Sequence, residues 1–88
     1  MQRIITANGR EFTVQWCGQA SIDNSLRFSI TGSSVATVVS VFANSANTTT
    51  LVHAFDEVEK VYNGFTTFKG VEMNPDGSIV VALMGGST

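Results

Sequence analysis

The sequence predicts an α+β domain, mostly β. About six or seven antiparallel strands form a compact sandwich or partly open barrel, with one short helix at about residues 34–44. Three observations carry that expectation. Asn8-Gly9 and Asn74-Pro75-Asp76-Gly77 are tight-turn signals placed between apolar runs. The segments beside them alternate apolar and polar residues with the period of two of a half-buried strand. The 88 residues contain no internal repeat and no linker, so residues 1–88 read as a single β-rich domain.

The first two strands, residues 3–7 and 10–17, flank Asn8-Gly9. A two-residue loop sets Ala7 opposite Arg10 and Ile5 opposite Phe12. Phe12, Val14 and Trp16 then share one face, and Glu11, Thr13 and Gln15 the other. Residues 18–24 form a polar loop, with Ile22 expected beneath it. Leu26, Phe28 and Ile30 alternate with Arg27, Ser29 and Thr31 in a third strand that ends at Gly32-Ser33.

Residues 34–44 admit two readings. Val35, Val38, Val39 and Phe42 fall at i, i+3, i+4 and i+7, one face of a helix, with Ser33 or Ser34 as N-cap. Val35, Thr37, Val38, Val39 and Val41 are instead β-branched and favour a buried central strand. The spacing predicts the helix, held by packing rather than by propensity. Residues 35–42 are also the segment most prone to aggregate if exposed during folding.

Residues 44–48 read as a polar loop, and 49–55 and 58–62 as strands around a turn at Asp56-Glu57. Asn63-Gly64 is either a second tight turn or a glycine bulge in one long strand running through 65–73. Parity favours the bulge, because Phe65 and Phe68 cannot share a face without an irregularity between them. In the 74–77 turn Pro75 presets φ, Asp76 can accept from its own backbone, and Gly77 accepts positive φ. The strand it launches, 78–84, is apolar on both faces: Ile79, Val81 and Leu83 against Val80, Ala82 and Met84. It should lie centrally in the sheet. Residues 85–88 are expected to form a frayed tail.

Composition narrows the function. Charged residues make up 14% of the chain, where about 25% is usual, and nine Ser and ten Thr fill the gap. A weakly charged, hydroxyl-rich surface is cheap to desolvate against another protein, which points to assembly. Thr-rich strands of an ordinary β-domain give the same composition. Net charge is −2, and Arg3, Arg10, Arg27, Lys60 and Lys69 are scattered rather than gathered into the stripe a nucleic-acid binder needs. No run approaches the ~18 apolar residues of a membrane span. The first residues lack a signal-peptide core, and one cysteine cannot form an internal disulfide. These features predict a protein that is soluble and intracellular at synthesis, with protein partners but no nucleic acid and no membrane.

Candidate chemistry is sparse. His53 falls mid-strand beside Leu51 and Phe55, where it reads as a structural side chain. With Asp56 it would supply two metal ligands, short of the three or four a zinc site uses. Cys17 could act as a nucleophile only if His53 lay beside it, and alternation puts it opposite the Phe12-Val14-Trp16 face. Asp56, Glu57 and Glu59 sit at a turn and along a strand edge, where they are solvated. Neither G-x-G-x-x-G nor a Walker sequence occurs. The expectation is therefore a protein that is not an enzyme, with catalytic, cofactor-binding and metal residues all none, and no cofactor. Trp16, Tyr62 and the Phe residues belong to the core by alternation. An exposed Tyr62 or Phe65 would be a protein-contact anchor. An exposed Trp16 or Tyr62 would be the stacking platform of a small-ligand or carbohydrate-binding β-module, the alternative function.

The order of segments resembles a known group. Ile5-Thr6-Ala7-Asn8-Gly9 leads to Phe12 and Val14, then Val41-Phe42-Ala43-Asn44 and Asn47-Thr48-Thr49. Tyr62-Asn63-Gly64-Phe65-Thr66, Gly70-Val71 and a closing Asp76-Gly77-Ser78-Ile79-Val80-Val81-Ala82-Leu83 follow. Nearly the whole chain is in this way similar to the small uncharacterised tail-region proteins of phages and prophages of Gram-positive bacteria. The resemblance implies a helix at 34–44 and a structural, tail-assembly role. It also implies a homo-oligomer or contacts with other tail proteins, and a place in the bacterial host cytoplasm at synthesis and then in the virion. It supplies no catalytic residues.

Overall fold

Asn8 and Gly9 both take positive φ, 54° and 72°, the geometry that matches the twist of an antiparallel pair. In the computed structural model, which describes residues 1–62 and 66–85, the chain opens accordingly with a hairpin. Strand β1 (Gln2–Ala7) pairs with β2 (Arg10–Gln19) in the predicted register, Ala7 opposite Arg10 and Ile5 opposite Phe12. Strand β3 (Leu26–Thr31) adds to β2, with Leu26, Phe28 and Ile30 buried. Their pairing slips between Trp16 and Gly18, so Cys17 is a bulged extra residue, and Gly18 accepts the φ of +95° there.

Three helices follow among the described residues. Helix α1 (Val35–Phe42) is capped by Ser34, whose hydroxyl oxygen accepts from Thr37 N–H at 3.2 Å. Its buried face is Val38, Val41 and Phe42, one step round from the expected face, and Val39 is 38% exposed. Helix α2 (Ser45–His53) is capped by Asn44 and meets α1 at a bend of 98°. Helix α3 (Asp56–Val61) carries Asp56, Glu57 and Glu59 in its first turn and Lys60 in its last, the polarity a helix dipole favours. Residues 49–55 and 58–62, expected as strands, thus lie mainly in α2 and α3. No single described helix is long and apolar enough to cross a membrane.

The β-branched run in α2 tolerates the helix because its hydroxyls find local acceptors. Thr48 and Thr49 donate to Ser45 C=O at 2.9 and 3.0 Å, and Thr50 to Ala46 C=O at 3.2 Å. Leu51, Phe55 and Val58 recur at i, i+4 and i+7, and all three are fully buried. Packing of that stripe decides the segment.

The chain returns through β4 (Thr66–Met73) and β5 (Ile79–Gly85), closing one sheet of order β1-β2-β3-β5-β4 with every pair antiparallel. Class and β content agree with expectation. Among the described residues the finer arrangement is five strands in one sheet and three helices, in place of two sheets or a barrel and one helix. Both edge strands reach α2, so the sheet curls round the helical layer. The turn before β5 is a type I turn with a glycine bulge: Gly77 N–H donates to Asn74 C=O, Asn74 N–H donates to Ser78 C=O, and Gly77 sits at φ +88°. Asp76 Oδ1 accepts from Ser78 N–H and Oγ at 2.9 and 2.7 Å. These bonds hold the Asp76 carboxyl below its usual range.

The core lies between the helices and one sheet face. Phe28 packs against Trp16 and Phe55 at centroid distances of 5.1 and 5.7 Å, and Phe42 meets Phe12 edge-on at 5.3 Å. β5 is flanked on both sides, as its two apolar faces predict. The register of β4 slips between Phe68 and Gly70, leaving Lys69 as the extra residue. The Asn63-Gly64 bulge, the Phe65 anchor and the tail at 86–88 lie outside the described residues. Gly85 is the last residue of β5 rather than tail.

Candidate functional site

Alternation gives the sheet a second face, and the described helix residues of the core cluster pack on the first. The core cluster takes Ile5, Phe12, Val14, Phe28, Ile30, Val81 and their like together with residues of all three helices. Residues of the opposite parity stand on the outer face: Gln2, Ile4 and Thr6 on β1, Glu11, Thr13 and Gln15 on β2, Ser29 and Thr31 on β3. Ile4 is 68% exposed there. The face is short of charge and rich in hydroxyl and amide groups.

Toward β4 the same face is strapped by ions. Arg27 on β3 pairs in register with Ala82 of β5, and it reaches past β5 to Glu72 Oε2 on β4 at 2.8 Å. The guanidinium stem and Glu72 thereby roof Ala82 and Val80, which are buried although no helix covers them. Arg27 Nε also donates to Ser25 Oγ at 3.2 Å, and Ser25 N–H and Oγ donate to Asp23 Oδ1 at 2.9 and 2.6 Å. Lys69, displaced by the bulge, donates to Asp23 Oδ2. The Lys69 bond, followed by the two from Ser25, holds the Asp23 carboxyl well below the usual carboxylate range. The strap pairs its charges internally, and that makes it architectural.

The two free edges of the sheet differ. Beside a two-residue loop the closing pair Ala7 and Arg10 exchanges both hydrogen bonds, so odd-numbered residues of β1 bond to β2. The N–H and C=O groups of Gln2, Ile4 and Thr6 therefore point out of the sheet, and no described backbone group pairs with them. β1 has no bulge and no proline, and its one charge is Arg3. β4 carries a bulge, a lysine and a glutamate, the devices that keep an edge from pairing.

The candidate chemical residues lie elsewhere and do not converge. His53, expected mid-strand, ends α2 with its side chain 66% exposed, and its Nδ1 lies 2.8 Å from Glu59 Oε1. Cys17 is exposed in the β2 bulge, and its thiol donates to Gln15 C=O at 3.6 Å. No described hydrogen bond joins Cys17 to His53. Glu57 Oε2 is buried without a hydrogen-bond partner among the described residues. Those residues hold no group of three His, Cys, Asp or Glu side chains placed to share a metal. Trp16 and Tyr62 are half-buried and packed against the core. Ile22, expected beneath its loop, stands 88% exposed, because Ala20 and Ser25, and Asn24 and Ala20, close the loop on itself.

By fold and site the described residues form a single curled antiparallel sheet with a helical layer on one face, an ionic strap on the β4 side of the other, and the β1 side of that face and its edge open. No family model, curated protein or solved structure matches the chain.

Proposed function

We propose that this chain is a structural or assembly protein, associated with the tail of a phage or prophage, that acts through protein–protein contacts and not through catalysis. The observation that carries the reading is the open side of the sheet. Among the described residues a weakly charged, hydroxyl-rich face and a regular strand edge lie together without cover, while Arg27, Glu72, Asp23 and Lys69 toward β4 pair among themselves. Strand edges of this kind are normally blunted, so one left regular fits a surface meant to be paired. The tail association rests on the resemblance of the turn and strand signatures to those of phage tail-region proteins. The half-buried packing of Trp16 and Tyr62 favours this reading over a ring-stacking ligand site.

Co-expression with the proteins encoded on either side of its gene tests the proposal. Affinity capture through a tag on this chain should retain at least one flanking tail protein in fixed stoichiometry. Flanking proteins that all pass into the flow-through would overturn it.

A further inference from the structure

We propose that β1 is a self-pairing edge: two copies of the chain join antiparallel through β1 about a two-fold axis at Ile4, extending the sheet to ten strands. The inference rests on the assembly reading and names a second copy as the partner for one surface.

The register follows from which backbone groups are free. Gln2, Ile4 and Thr6 are the outward-bonding residues of β1. A two-fold axis at Ile4 sets Ile4 opposite Ile4, Gln2 opposite Thr6 and Thr6 opposite Gln2. Two bonds from each of these three facing pairs give six. Moving the axis to Arg3 or Ile5 leaves two such pairs and four bonds, and at Arg3 it also sets like charges face to face. A shift by one residue aligns outward groups with inward ones and forms no ladder. The axis at Ile4 is the single register that uses every free group.

Side chains agree with that register. The two Ile4 residues become direct cross-strand neighbours on the outer face and cover the apolar surface each now exposes, 68% of the residue. Gln2 and Thr6, an amide and a hydroxyl able to hydrogen-bond each other, flank them on both sides. Arg3 meets Ile5 of the other copy. The axis runs perpendicular to the sheet, so both helical layers lie on the same side of the ten-stranded sheet and the two outer faces form one continuous surface. The β4 edge, with bulged Lys69 and with Glu72, offers no equivalent ladder.

Sedimentation velocity over a wide concentration range, with circular dichroism to verify folding, tests the proposal. The wild type should show a reversible dimer. Ile4→Pro removes an N–H that bonds nothing within the chain, so the fold should persist while dimerisation weakens by about tenfold or more. Ile4→Lys should weaken it comparably by setting two ammonium groups at the axis. In a Cys17→Ser background, Ile4→Cys should form a disulfide-linked dimer under mild oxidation, since facing Cα atoms there stand about 5.5 Å apart. Gln2→Cys should not, because Gln2 faces Thr6. A wild type that stays monomeric, a dimer indifferent to Ile4→Pro, or equal crosslinking at positions 2 and 4 would overturn the inference. Capture of flanking proteins would still stand as a separate result, so the edge and the assembly reading can fail independently.

Discussion

Asn47 is buried, and one amide group on it ties three segments together. Its Nδ2 donates to Val41 C=O in α1 at 2.8 Å and to Asn8 Oδ1 in the first hairpin turn at 3.0 Å. Asn47→Ala removes both bonds and leaves Val41 C=O with only the long 3.4 Å approach of Asn44 N–H. Each net bond contributes about 1 kcal/mol, and a buried acceptor left short costs more, so the loss should be about 2–3 kcal/mol. Asn47→Asp should cost more than Asn47→Ala, because it turns an oxygen toward two oxygens. Asn8→Gly keeps the positive φ that Asn8 adopts (54°) while deleting the acceptor. Its cycle with Asn47→Ala should give a coupling of about 1 kcal/mol. Urea unfolding followed by Trp16 fluorescence reads these values, since the indole packs 5.1 Å from Phe28 in the core. With a slope near 1 kcal/mol/M for a chain this small, Asn47→Ala should lower the midpoint by about 2–3 M. A shift below about 0.5 M, an Asp variant no worse than Ala, or a purely additive cycle would refute the reasoning.

Other substitutions test other parts of the account. A Cβ on Gly85 would stand 2.7 Å from Tyr62 Cζ, so Gly85→Ala should cost about 1–3 kcal/mol by displacing a ring packed on the core. The cost should fall in a Tyr62→Leu background, read by the same unfolding assay. Gly77→Ala places a side chain at φ +88° and should cost about 1–2 kcal/mol. Gly70→Ala, with no positive φ and open space around it, should stay within about 0.5 kcal/mol. Asp23 titrates lower in the folded chain than the ~3.9 of an unfolded one. Its contribution is complete above about pH 4 and is lost as pH falls through the folded value. The stability gap between wild type and Asp23→Asn should therefore close on acidification, and a gap constant down to pH 2 would contradict the strap.

What the sequence made legible was local. Asn8-Gly9 and Asn74–Gly77 each dictate a turn through φ alone, and each fixes the register of the strands it joins. The α2–α3 region differs from the expected loop and strands, an expectation that rests on the strand preference of Thr49, Thr50 and Val52. Donation of the threonine hydroxyls to the Ser45 and Ala46 carbonyls, together with the Leu51-Phe55-Val58 stripe, outweighs that preference. Asn44 ahead of Ser45, and acids clustered at 56–59, were the signals that would have found the two helices. Cys17 and Lys69 escaped alternation because each is a bulge, and a bulge shifts parity without marking itself in composition. The strap joins residues 45 and 46 positions apart, a separation that no local pattern encodes. The open edge follows from strand order, which requires knowing that β5 inserts between β3 and β4.

The claim that the open side of the sheet is where this protein works is tested most directly by amide hydrogen exchange. Exchange is measured residue by residue on the chain alone at low concentration and again in the assembled state, self-associated or bound to a captured tail protein. Slowed exchange at Gln2, Ile4 and Thr6, with α1, α2 and α3 unchanged, is the predicted result. Protection confined to the helices, or the same exchange in both states, would contradict it.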